Sequence, residues 1–191
     1  MVSNERHFDE FQPHTRLKHA ILDTYIVAWA MKLFMWGKAG DRLAIVDAFA
    51  GAGRDEAGNE GSPLIAVRRA REAMAEARGK APHLTDPKVL VFAIEKHRGR
   101  YRALKDNLAQ FTSDSPELIR VLEGELADHI DQIGREVGQC PTFFFLDPFG
   151  IKGLDAATYP KMFSGRHKEV FALFSDIGAV RLQAGRLQGH R

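Results

Sequence analysis

The sequence predicts an α/β fold built on a parallel sheet, and three observations carry that expectation. Short apolar runs recur along the 191 residues, stretches of helical periodicity lie between them, and the first runs stop abruptly at glycine or acidic residues. Runs that are apolar throughout, rather than alternating, belong to strands buried on both faces, which requires helices on both sides of the sheet. No internal repeat or low-complexity tract interrupts the alternation.

The elements follow in order. Thr15 is placed to cap a helix running to about Trp36, with Leu17, Ile21, Tyr25, Trp29, Leu33 and Trp36 expected on one buried face. Gly37 and Gly40 end it. Leu43 to Phe49 reads as the first strand, followed by a long polar loop from Gly51 to Ser62. Pro63 suits the first position of a helix ending near Arg78. Lys88 to Ile94 is a second strand and Arg98 to Phe111 a helix; Leu118 to Leu122 is a third strand and Leu126 to Val137 a helix. Thr142 to Leu146 is a fourth strand, and a short helix around Asp155 to Phe163 leads to a fifth at Glu169 to Phe174. Strands separated by helices join in parallel through right-handed crossovers. The expected organisation is a helical segment, residues 1–40, packed on an α/β domain of residues 41–191.

Composition sets outer limits. Apolar residues are 45% and charged residues 27% of the chain, an ordinary globular balance. A formal charge of +2 permits a nucleic-acid partner without arguing for one. Cys140 is the single cysteine, so no intrachain disulfide forms, which fits a reducing compartment. The polar start, Met1 to Pro13, lacks the apolar core of a signal peptide. Ala20 to Trp36 is broken by Asp23 and Lys32 and is too short to cross a bilayer. A soluble cytoplasmic protein is expected. None of the eight histidines has paired-ligand spacing, so no metal site is expected.

Open parallel sheets bind ligands at the carboxyl ends of their strands. After the first strand comes Asp47-Ala-Phe49-Ala-Gly51-Ala-Gly53. Glycines two apart let the backbone turn sharply and approach a ligand closely. The spacing is neither a dinucleotide GxGxxG nor a P-loop, which removes a nucleotide-dependent oxidoreductase from contention. After the second strand, Glu95 is placed to accept hydrogen bonds from ribose hydroxyls, or else simply opens a helix. After the third, Glu125 either meets an adenine edge or caps the next helix. After the fourth comes Asp147-Pro148-Phe149-Gly150, either an active-site turn or a plain strand-ending one. His14 and Lys18 share one face of the first helix and are candidates to cover the pocket; an ordinary solvated face fits equally well. Basic residues gather at Arg68, Arg69 and Arg71, and again at Lys96, Arg98, Arg100, Arg102 and Lys105; the second group either binds phosphates or is an ordinary solvated helix face, and no aromatic interleaving marks a stacking platform.

The Asp-x-Phe-x-Gly-x-Gly loop resembles the first motif of class I methyltransferases, and Asp147-Pro-Phe resembles the Asp/Asn-Pro-Pro-aromatic motif of amino-methyltransferases with one proline missing. Taken with His14-Thr-Arg-Leu-Lys18, Gly61-Ser-Pro63 and Glu169-Val-Phe-Ala-Leu-Phe-Ser175, the chain resembles the three-Cys-motif partner family. These segments are short but ordered along nearly the whole sequence. The resemblance implies a Rossmann-like methyltransferase fold with strand order 3-2-1-4-5 and S-adenosylmethionine as cofactor. It implies that Asp47, Phe49, Gly51, Gly53, Glu95 and Glu125 hold the cofactor, and that Asp147, Pro148 and Phe149 meet a nitrogen nucleophile, on nucleic acid in some families. It also implies a phage-associated partner carrying three cysteines and resembling a radical S-adenosylmethionine enzyme. Family members continue beyond the point where this chain stops, so a truncated sheet edge, exposed apolar surface and dependence on a partner are expected.

Overall fold

A computed structural model of the chain describes residues 13–36, 40–147 and 156–173, with the backbone alone for Pro13 and His14. The elements are α1 (Pro13–Met35), β1 (Arg42–Asp47), α2 (Ser62–Lys80), β2 (Lys88–Glu95), α3 (Arg98–Asp114), β3 (Ile119–Glu123), α4 (Leu126–Val137), β4 (Thr142–Leu146), α5 (Thr158–Met162) and β5 (Lys168–Ala172). The five strands form one sheet in the order β3-β2-β1-β4-β5, and every pairing is parallel. This is a Rossmann-like α/β fold with an N-terminal helix, as expected. The order reverses beside β1, between β2 and β4, which is where such sheets open a crevice.

The alternation of side chains along each strand sorts the core into two layers. Leu43, Ile45, Val89, Val91, Ala93, Phe143 and Phe145 pack with α1, α2 and α3. Ala44, Val46, Leu90, Phe92, Ile94, Phe144 and Leu146 pack with α4 and α5. The inner strands β1, β2 and β4 are apolar along their lengths because both faces are covered, whereas the edge strands β3 and β5 carry Arg120, Lys168 and Glu169 and are only partly buried. Among the described residues no helix is long and apolar enough to cross a membrane.

Most boundaries differ from expectation by only one to three residues, with one informative exception in α1. That helix starts at Pro13, so Thr15 lies inside it rather than capping it. Its buried face is Leu22, Ile26, Trp29, Ala30 and Phe34, whereas Leu17, Ile21, Tyr25 and Trp36 are exposed, Trp36 by 67%. Apolar residues lie on both sides of this helix, so periodicity has no single stripe to select, and contact with α2 and β4 decides the matter. Trp29 and Tyr25 both lean on Phe143 of β4, with ring centroids 5.8 and 5.3 Å away. The Tyr25 hydroxyl donates to Glu169 of β5. Burial and that neighbouring carboxylate push the phenol up to about 12. Asp23 fastens α1 to α2 through Arg68 and Arg69, both on its carboxylate. Gly37, and the tail from Val180 to Arg191, lie outside the described residues.

Candidate functional site

Register brings three acidic side chains to one end of the sheet. Asp47 is aligned with Ala93 of β2 and with Phe145 of β4, so Glu95 and Asp147 each lie two residues further along adjacent strands. Residues two apart project to the same face. Asp47, Glu95 and Asp147 therefore share the face covered by α1, α2 and α3.

The chain leaves β1 through a turn held by two backbone bonds. Ala48 N–H donates to Phe145 O at 3.1 Å, and Ala50 N–H to Ile94 O at 2.9 Å. The glycines then divide their work. Gly51, at φ 64°, has nothing within 4 Å of where a Cβ would stand, so this part of the loop faces open space. Gly53, at φ 87°, has no such room: a Cβ would stand 2.9 Å from Leu64 Cδ1 and 3.2 Å from Leu104 Cδ1. It lets α2 and α3 close on the loop. Asn107 of α3 adds a tie, its Nδ2 donating to Ala52 O at 2.8 Å. A second close approach follows at Gly61, whose N–H donates to Gly53 O at 2.7 Å and which starts α2. Ser62 thereby comes to rest beside Asp47.

Asp47 is 1% exposed. Its Oδ1 accepts from Phe49 N–H at 3.2 Å, while Oδ2 is buried without a hydrogen-bond partner. Burial pushes the carboxyl up to about 7, against the Ser62 hydroxyl and Phe49 N–H, which favour the charged form; the charges of Asp147 and Glu95 add to the rise.

The other two carboxylates are each matched by a cation. Glu95, 4% exposed, accepts on Oε1 from His97 N–H at 2.7 Å and from Arg100 at 3.0 Å. Asp147 receives Lys18 Nζ on both oxygens, at 2.8 and 3.0 Å. This pair spans the chain from the first turns of α1 to the end of β4, and it draws α1 over the cleft. His19, the next residue, is depressed below an ordinary imidazole by burial, with Asp147 and Asp55 opposing and Lys18 adding to the effect.

Two sequence candidates take positions of a different kind. Glu125 caps α4: its side chain accepts from the Asp128 N–H while Asp128 accepts from the Glu125 N–H, and Lys96 pairs with it at 3.0 Å. Its carboxylate is thus engaged in the helix start, the second of the two roles the sequence allowed. Phe49 is half-buried against the α4 layer and contributes its N–H to Asp47. Pro148 and Phe149 lie outside the described residues, as does the side chain of His14. Sequence reasoning missed His19, Ser62, Arg100 and Asn107 as site residues. For Ser62 a signal existed, since Gly61-Ser62-Pro63 marks the start of α2 opposite the glycine loop. Among the described residues no group of three or more His, Cys, Asp and Glu side chains is placed to hold a metal ion.

The net arrangement is three carboxylates on the α1-covered face at the carboxyl end of the sheet, two of them ion-paired and one buried with an oxygen short of a partner. A cationic or hydrogen-bond-donating ligand beside Gly51 would complete Asp47. No family model matches the chain, and no curated protein matches it.

Proposed function

We propose that the cleft binds S-adenosylmethionine and that the protein transfers its methyl group to a nitrogen nucleophile. The observation that carries this reading is Asp47, a buried carboxyl with an unpartnered oxygen at the entrance to a glycine loop with open room at Gly51. A ligand combining a cationic amine with donor hydroxyls suits this site, with Glu95 two residues beyond the β1 register for the hydroxyls. The cofactor supplies an electrophilic methyl on a positively charged sulfur. The chain's own residues position the acceptor: Asp147 takes hydrogen bonds from an attacking amine, keeps its lone pair aimed, and lowers the cost of the proton it must shed as the N–C bond forms and the C–S bond breaks. That proton is assigned to His19, the residue after Lys18 on α1, whose imidazole feels the charge of Asp147. Pro148 and Phe149 follow Asp147 in sequence and are assigned to the acceptor side.

Calorimetric titration with S-adenosylmethionine tests this. The wild type should bind in the micromolar range, and Gly51→Val, which fills the open side of the loop, should not. A folded wild type giving no heat would remove the methyltransferase reading.

One observation favours a second reading. Lys18 already occupies both oxygens of Asp147, as it would in a protein that holds the cofactor, or nothing, and acts as a non-catalytic adaptor for a three-Cys-motif protein. Methylation that is present in wild type and disappears in Asp147→Ala would exclude the adaptor reading.

A further inference from the structure

The structure separates basic residues that the sequence could only group. Arg68, Arg69 and Arg71 of α2 are all consumed by acids: Asp23 and Glu60, Asp23 and Glu72, and Asp114 respectively. In the second group Lys96 pairs with Glu125 and Arg100 with Glu95. Arg98, Arg102 and Lys105 are left. All three are exposed, and among the described residues none is in an ion pair. Spaced by four and three residues, they form one stripe along α3, on the side away from buried Leu104 and Leu108. That helix has no acidic residue in its first turn, so Arg98 and its neighbours oppose the helix dipole. Exposed cations without an ion-pair partner are open to an anion from outside. From Arg98 to Lys105 the stripe rises about 10 Å at 1.5 Å per residue, which spans about three phosphates of one duplex strand at 3.4 Å each. The opposite face of α3 packs on the glycine loop through Leu104 and Asn107, and α3 starts at Arg98, three residues after Glu95 at the carboxyl end of β2, so the Arg98 end of the stripe lies at the same end of the sheet as the candidate site.

We infer that the Arg98–Arg102–Lys105 face docks the phosphate backbone of a nucleic acid and so brings a base nitrogen to the cleft; the second half of that statement rests on the methyltransferase reading, the first does not. A base in a duplex would have to be flipped out to reach it.

The test is fluorescence anisotropy with a labelled 20-nucleotide DNA strand and its duplex, from 50 to 200 mM salt. Three proteins are compared: wild type, Arg98→Gln/Arg102→Gln/Lys105→Gln, and a control, Arg78→Gln/Lys80→Gln/Lys88→Gln, which removes equal charge at acid-paired positions. Wild type and control should bind with a salt slope steeper by about two than the α3 variant, since each phosphate left without its cation lowers the slope by about 0.7 for a single strand. Absence of wild-type binding at 50 mM salt, or equal weakening in both variants, would overturn the inference. So would binding to anionic vesicles or polyglutamate that needs the stripe while DNA binding does not. S-adenosylmethionine titrated into the α3 variant separates the two proposals: docking abolished with cofactor binding intact supports the stripe, and docking present with no cofactor binding in wild type leaves the stripe standing without the methyl transfer.

Discussion

Replacing Asp47 by Asn should make the protein more stable at neutral and higher pH, by an amount that depends on pH. Burial lifts the carboxyl from 3.8 to about 7, so the folded state holds a proton that the unfolded state has released. At 1.36 kcal/mol per unit, that rise corresponds to about 4 kcal/mol. The sign follows from proton binding: between about pH 4 and pH 7 the folded chain binds more protons than the unfolded one, so stability falls as pH rises through this window. Below it the cost is absent, and above it the cost is constant. The asparagine side chain presents the same shape as the protonated acid and carries no such cost. Urea unfolding of wild type and Asp47→Asn at half-unit intervals from pH 4 to pH 8 isolates the effect, because every other titrating group is common to both. The gap between the two should widen in favour of the variant by about 4 kcal/mol across the window. A gap that stays constant would refute the argument, since it would mean that Asp47 ionises in the fold as easily as in the unfolded chain.

Other outcomes follow from the same contacts. Gly53→Ala should destabilise more than Gly51→Ala in denaturant titrations: both incur about 1 kcal/mol for positive φ, but only Gly53 drives a methyl into Leu64 and Leu104, adding about 1–3 kcal/mol of overpacking. Trp29→Ala should cost about 3–5 kcal/mol as a buried aromatic, whereas Leu17→Ala, on the exposed side of α1, should stay within about 0.5 kcal/mol. Asp23 is held down to about 2 by hydrogen bonds from Arg69 and Arg68, burial opposing them; since its pKa is depressed, its contribution is present above pH 4 and fades as the pH falls towards 2. After solvent screening it is worth about 1 kcal/mol, read as the difference between wild type and Asp23→Asn at pH 7 and its narrowing in acid. Lys18→Met removes a cation from the cleft, so calorimetry should show tighter binding of S-adenosylmethionine, a cation at sulfur, with a smaller gain for S-adenosylhomocysteine, whose sulfur is neutral.

The sequence determined the layers and much of the site. Leu43 to Val46, Val89 to Ile94 and Phe143 to Leu146 are apolar without interruption, and only strands covered on both faces need that composition. Asp47, Glu95 and Asp147 are legible as strand ends because the apolar runs stop at or just before them, and their common face follows from residues two apart pointing the same way once the register is known. The register itself is a tertiary fact, as is the pairing of Lys18 with a carboxylate 129 residues away; no local pattern encodes a contact between segments so distant. The same holds for Glu125, since a carboxylate at a helix start satisfies backbone N–H groups or faces a ligand depending on what Asp128 and Lys96 do around it. In α1 the chain offers apolar residues on both sides, and the side taken into the core is Leu22, Ile26 and Trp29, with Trp29 against Phe143. Local sequence fixes which residues are able to be buried, whereas burial itself is a competition for space against the rest of the fold, and only the assembled layers decide it.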